Sequence, residues 1–148
     1  MLSSALKEYL KTIYVLKKQY GDVRVTDIAS KMNCSKPNVT KQLNILKDKK
    51  LIEYESYGHI KLTESGISYA KKILADYDIL YILLNNIIGI NEEDAKKEAA
   101  KIKGVISDES LNKISNYIYE VLDLKNMNCN FNIRNESCRA CIQKKGNK

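Results

Sequence analysis

Residues 25–56 read "VTDIASKMNCSKPNVTKQLNILKDKKLIEYES", and the order of patterns inside this stretch decides the fold. "VTDIASKM" (25–32) is a short amphipathic run. Thr26 is its predicted N-cap, and Asp27 falls in the first turn, where a carboxylate suits the positive end of the helix dipole. "NCS" (33–35) breaks the run. "SKPNVTKQLNILKDKKL" restarts it with Ser35 as cap and Pro37 in the first turn, where no backbone N–H is needed. Val39, Leu43 and Leu46 then repeat on one face. In "LIEYES" (51–56) and "HIKLT" (59–63) apolar residues alternate, as in a hairpin with one buried face that turns at Tyr57-Gly58. Helix, short turn, helix, hairpin is the winged helix-turn-helix arrangement, with a recognition helix over about 36–49.

Outward from this stretch the periodicity is helical. "SALKEYLKTIYVLKKQYG" (4–21) places Leu6, Leu10, Ile13, Tyr14, Val15 and Leu16 at helical spacing and stops at Gly21. Downstream, Thr63 is predicted to cap a long helix over 64–88 that ends at Gly89. Asn91 caps a helix over 92–103 that stops at Gly104, and Ser107 caps one over 108–124. After Leu124 the periodicity fails. Residues 125–148, "KNMNCNFNIRNESCRACIQKKGNK", read as a polar, asparagine-rich, helix-poor tail, and no internal repeat is visible.

Composition fits this layout. The 148 residues are 44% hydrophobic and 29% charged, enough for one domain or two very small ones. Lys7 and Lys11 interrupt any apolar run at the start, so no signal peptide is expected. The longest apolar stretch, "ILYILLNNIIGI" (79–90), falls short of the roughly 18 residues that span a bilayer. The expectation is a cytoplasmic protein with no membrane partner. Charge is uneven: residues 1–75 hold 14 Lys+Arg against 7 Asp+Glu, while residues 76–148 hold 11 of each. A basic excess confined to one half points to a polyanion, most often nucleic acid.

The candidate nucleic-acid contacts follow. Ser35, Lys36, Pro37, Asn38, Thr40, Lys41 and Gln42 start the second helix of the pair, with short donors and acceptors for base edges and lysines for phosphates. Tyr57, His59 and Lys61 lie in the predicted wing, suited to the sugar-phosphate backbone. The bland alternative for each is an ordinary exposed side chain; the set gains weight because cap, turn, polar face and wing occur in order. Enzyme chemistry finds little support: there is one histidine, no glycine-rich phosphate loop, no nucleophile elbow and no paired acid constellation.

Three of the four cysteines, Cys129, Cys138 and Cys141, crowd into the tail. Cys138-x-x-Cys141 has knuckle spacing, and Cys129 would add a third soft ligand for zinc or iron, including an iron–sulfur cluster. The fourth ligand is open: Cys34, His59, a partner subunit or a small exogenous ligand. Arg134, Arg139, Lys144 and Lys145 would partly offset thiolate charge. A thiol switch and a disordered tail with free thiols are the competing readings.

The stretches "EYLKTIYVL", "VRVTDIASKMNCSKPNVTKQLNILKDKKLIEYE" and "IKLTESG" resemble the diphtheria toxin repressor and manganese transport regulator family. "IIGINEEDAKKEAAKIKGVISDESLNKI" resembles its dimerisation segment. The resemblance covers roughly residues 5–124. It implies a mainly α fold: a winged helix-turn-helix DNA-binding domain (1–63), a helical dimerisation domain (64–125) and a cysteine-containing tail (126–148). It also implies a homodimeric, metal-responsive repressor on a palindromic operator, with Fe(II) or Mn(II) bound between the first helix and the dimerisation helices. "SKPNVTK" carries over as the DNA-reading segment. Glu8 occupies a ligand position and Lys11 a neighbouring one that is a glutamate in manganese-type members. Tyr77 or Asp78 stands where a histidine is expected, and Ala100, Lys103 and Gly104 fall at further ligand positions. Protonated lysine, alanine and glycine offer no metal donor, so the expectation is that the usual site is lost and only Glu8 and Asp78 remain of it. Two replacements are then open: an ammonium, Lys103 or Lys101, paired with Glu8, or sensing moved to the tail cysteines. A protein-interaction module that kept the fold and a constitutive, metal-independent regulator are the alternatives.

Overall fold

A computed structural model describes residues 2–55, 58–123 and 135–146. The chain divides into two compact units, Met1–Ile73 and Leu74–Lys148.

In the first unit, α1 (Ser4–Tyr20), α2 (Val25–Met32) and α3 (Lys36–Asp48) pack on one another. Ser3 caps α1 by accepting from the Leu6 N–H at 3.3 Å. Gly21, at φ 78°, ends it by donating to the Lys17 carbonyl at 2.9 Å, a conformation that glycine reaches without a Cβ penalty. Leu10, Ile13, Ile28, Val39, Leu43 and Leu46 are all fully buried. Each contributes about 1.5–3 kcal/mol of transfer free energy.

The hairpin is shorter than its sequence pattern suggests. Among the described residues only β1 (Ile52–Glu53) and β2 (Lys61–Leu62) pair, antiparallel, with Ile52 opposite Leu62. The reason is a competing partner: the Ile60 N–H donates to the Val23 carbonyl at 3.3 Å, so the second arm leaves the ladder for the segment between α1 and α2. Helix α4 (Glu64–Tyr81) starts at once after the hairpin. The Thr63 hydroxyl accepts from the Gly66 N–H at 3.0 Å and lies 2.9 Å from the Lys50 carbonyl and 3.0 Å from that of Leu51.

In the second unit, α4 continues into a π-helical segment, Ile82–Ile88. Gly89, at φ 90°, ends it, and the Asn85 amide donates to the Ile90 carbonyl at 2.9 Å. Then follow α5 (Glu92–Lys103), capped by Asn91, and α6 (Asp108–Val121), capped by Ser107. Ile79, Leu80, Ile82, Leu84, Ala95, Ala99, Leu111 and Ile118 form one apolar cluster with Ile142.

Two local expectations are corrected. The N-cap of α2 is Arg24, not Thr26: the Asp27 carboxylate accepts from the Arg24 N–H at 2.9 Å, fixing the start of the helix one residue before the predicted cap. The tail is not helix-poor throughout, because Glu136–Gly146 forms α7. Asn135 starts it, its side-chain oxygen accepting from the Ser137 N–H at 2.9 Å and the Cys138 N–H at 3.4 Å. Arg139 and Ile142, one turn apart, are the buried residues among the described side chains of α7. Two positions, one of them charged, leave too narrow an apolar stripe to register as periodicity.

Candidate nucleic-acid interface

The recognition segment is built by a tight turn and a cap. Asn33 sits at φ 52°, a left-handed conformation that asparagine tolerates better than most side chains. The Cys34 N–H donates to the Ala29 carbonyl at 3.1 Å, closing α2. Ser35 then accepts from the Asn38 N–H at 3.4 Å and opens α3. This leaves Ser35, Lys36, Pro37, Asn38 and Lys41 exposed, and Thr40 and Gln42 half-buried, opposite the buried Val39, Leu43 and Leu46. The Thr40 hydroxyl donates to the Lys36 carbonyl at 3.1 Å.

A cleft of about 440 Å³ opens beside this face, lined by Arg24, Val25, Thr26, Lys36, Thr40, Tyr54 and Gly58. Arg24 and Thr26 line this cleft without having been among the contacts expected from the sequence. The signal was present in Asp27: a carboxylate three residues after Arg24 caps there, which frees Thr26 to face outward.

In the wing region, Lys61 is exposed on β2, and Tyr57 lies outside the described residues. His59 is exposed, with its Nδ1 3.1 Å from the Asp22 carboxylate, which tethers the hairpin to the loop before α2. Cys34 faces the Tyr9 hydroxyl at 3.5 Å, and that hydrogen bond, with burial, pushes Tyr9 above the ordinary tyrosine value of 10.0.

A serine-capped basic helix behind a tight turn, buried on one face and followed by a hairpin, defines a winged-helix DNA-binding regulator. Residues 1–60 match the family described as iron dependent repressor, N-terminal DNA binding domain. Residues 63–121 match its metal binding and dimerisation domain. An HTH-type transcriptional regulator of Methanocaldococcus jannaschii is 32% identical over 123 residues, 82% of this chain and 98% of that one. The HTH-type transcriptional regulator MntR of Bacillus subtilis is 28% identical over 118 residues, 80% of this chain and 82% of that one. Among solved structures, T. acidophilum IdeR superposes with a TM-score of 0.65 at 27% identity, covering 79% of this chain and 53% of that one. The chain spans about half the length of that protein and of the manganese regulator SloR. The chain belongs to the iron-dependent repressor family of transcriptional regulators, which are not enzymes.

That family implies a divalent metal, and the donors among the described residues do not fit one. Among the described residues, no three of His, Cys, Asp or Glu come together in a way that could hold an ion. The Glu8 carboxylate lies 2.7 Å from the Lys11 ammonium of its own helix. Lys103 is buried, Lys101, Ala100 and Gly104 are exposed, and Tyr77 stacks on Tyr81 with ring centroids 6.5 Å apart. Asp78 is held by Arg139, whose Nε donates to its Oδ2 at 2.9 Å. Burial pushes the Asp78 carboxyl above its ordinary range, and the guanidinium only partly offsets this. Arg139 is therefore turned into its unit, where it donates to Asp78. Cys138 is half-buried and Cys141 exposed on α7, while Cys129 lies outside the described residues. No described helix is long and apolar enough to cross a membrane.

Proposed function

We propose that this chain is a cytoplasmic, homodimeric repressor of metal- or redox-linked genes. Its parts are a DNA-binding domain (1–63), a dimerisation domain (64–125) and a cysteine-bearing segment (126–148). The two copies would set their α3 helices into successive major grooves of a palindromic operator, about 34 Å apart. The carrying observation is the division of α3 into a fully buried apolar face and an exposed basic, amide-bearing face. Asn38 is suited to adenine, and Lys36 and Lys41 to phosphates or guanine. Lys61 and His59 would meet the backbone. Arg24 and Thr26 extend the same polar surface. The test is binding of the full chain to a duplex from its own promoter at low salt. Asn38→Ala and Lys41→Ala should each weaken binding by about 1–3 kcal/mol. Absence of binding by the unmodified chain would favour the protein-interaction alternative.

In this reading Glu8 and Asp78 no longer serve Fe(II) or Mn(II). The C-x-x-C on α7 supports a second element: Cys138 and Cys141, with Cys129, as ligands for zinc or iron. Protein purified without oxygen should then carry stoichiometric metal that is lost in a Cys138→Ser, Cys141→Ser variant. Visible absorption would indicate an iron–sulfur cluster, and colourless stoichiometric metal would indicate zinc. A metal-free chain would remove this element and leave the repressor reading standing.

A further inference from the structure

The salt bridge between α7 and α4 is the feature that the DNA-binding assignment leaves unused. Helix α7 packs on the π-helical segment that continues α4. Its two inward residues divide the work. Ile142, 5% exposed, joins the apolar cluster of the second unit, and Arg139, 3% exposed, ends on Asp78. A guanidinium is almost never buried this far unless a carboxylate receives it. The contact spans 61 residues of sequence, so only the docking of α7 creates it.

By the family resemblance, Asp78 or its neighbour Tyr77 stands at a metal-ligand position, and of the two only Asp78 is a carboxylate. A carboxylate that could take a divalent cation here takes a cation that the chain supplies itself. Such a cation cannot be chelated away, because its concentration at Asp78 is fixed by the tether. Helix α4 gives this a route to function. The same helix begins at Thr63 and Gly66, which lock it to the residues just after α3. Its far end and the π-helical segment are what Arg139 and Ile142 hold.

We propose that α7 is a built-in effector: Arg139 takes the place of the metal cation at Asp78 and holds α4 in its DNA-competent arrangement, so that operator binding needs no Mn(II) or Fe(II). This rests on the DNA-binding function proposed above.

The test measures operator affinity of the full chain after chelator treatment and again with added Mn(II). It compares the unmodified protein with Arg139→Gln, Arg139→Lys and Asp78→Asn, and follows folding by circular dichroism. Affinity of the unmodified protein should agree between the two conditions within about two-fold, whereas Arg139→Gln should weaken it by about ten-fold or more, and Arg139→Lys by less. Calorimetric titration of the unmodified protein with Mn(II) should show no binding that Asp78→Asn abolishes. A gain of about ten-fold on adding Mn(II) to the unmodified protein would overturn the proposal with no variant needed. So would undiminished binding by folded Arg139→Gln. Failure of the unmodified protein to bind DNA in either condition would instead strike at the DNA-binding function, and the effector role would fall with it.

Discussion

Single residues hold this fold at points where one atom decides the outcome. Gly66 lies in the first turn of α4, where general helix propensity favours alanine over glycine by up to about 1 kcal/mol. Here the sign reverses. A Cβ at Gly66 would run into the Leu51 carbonyl oxygen, a backbone atom that has no rotamer to move aside. Gly66→Ala should therefore lower stability by about 1–3 kcal/mol in chemical denaturation, the range for overpacking; an unchanged or raised midpoint would refute that close approach. Asp78 makes a different prediction. Burial raises its pKa above the ordinary 3.8, with Arg139 opposing and nearby Glu136 adding to the rise. The folded state then holds this proton more tightly than the unfolded state. That stabilisation is complete below the unfolded value and is lost as pH rises through the folded one. Compared with Asp78→Asn, the unmodified protein should gain stability as pH falls towards the ordinary carboxylate value of 3.8. A difference that is flat, or that grows with rising pH, would show Arg139 to dominate over burial.

At the scale of elements, α3 depends on its cap. Ser35 is exposed and satisfies the Asn38 N–H, so Ser35→Ala should cost about 0.5–2 kcal/mol in thermal or chemical unfolding. The same change should weaken DNA binding further, because it frays the turn that presents Lys36 and Asn38. A melting curve and an affinity measurement on one preparation separate the two effects. Helix starts were the most legible features of the sequence: Ser35, Thr63, Asn91 and Ser107 each cap the helix expected of them. Their rule is local, a side-chain oxygen reaching a backbone N–H two or three residues on. Where the expectation slipped, at Thr26, the stronger local acceptor was Asp27. The strands slipped for a non-local reason, the diversion of Ile60 to Val23.

For the whole molecule, charge distribution sets the behaviour. The entire net charge of +7 sits in the first 75 residues, mostly as lysine. Lysine attracts phosphate as a point charge and reads guanine less well than the guanidinium fork. Operator affinity should therefore fall steeply and log-linearly with salt, and each phosphate-contacting lysine removed should lower the slope by about 1. A salt-insensitive complex would mean that the basic half is only a solvated surface.

The sequence by itself determined the order of helices as far as α6, the caps at Ser35, Thr63, Asn91 and Ser107, the break at residues 33–35 and the polar face of α3, because each depends on residues within a turn or two of one another. Family membership was legible for the same reason: the diagnostic runs are contiguous. Only the tertiary structure decided what became of Arg139. Read along the chain it is one cation among several beside two cysteines. Folded, it is buried on Asp78, because α7 has Ile142 to bury and the guanidinium one turn away goes in with it. No local rule links positions 61 residues apart; the apolar cluster that receives α7 exists only once the other helices have assembled it.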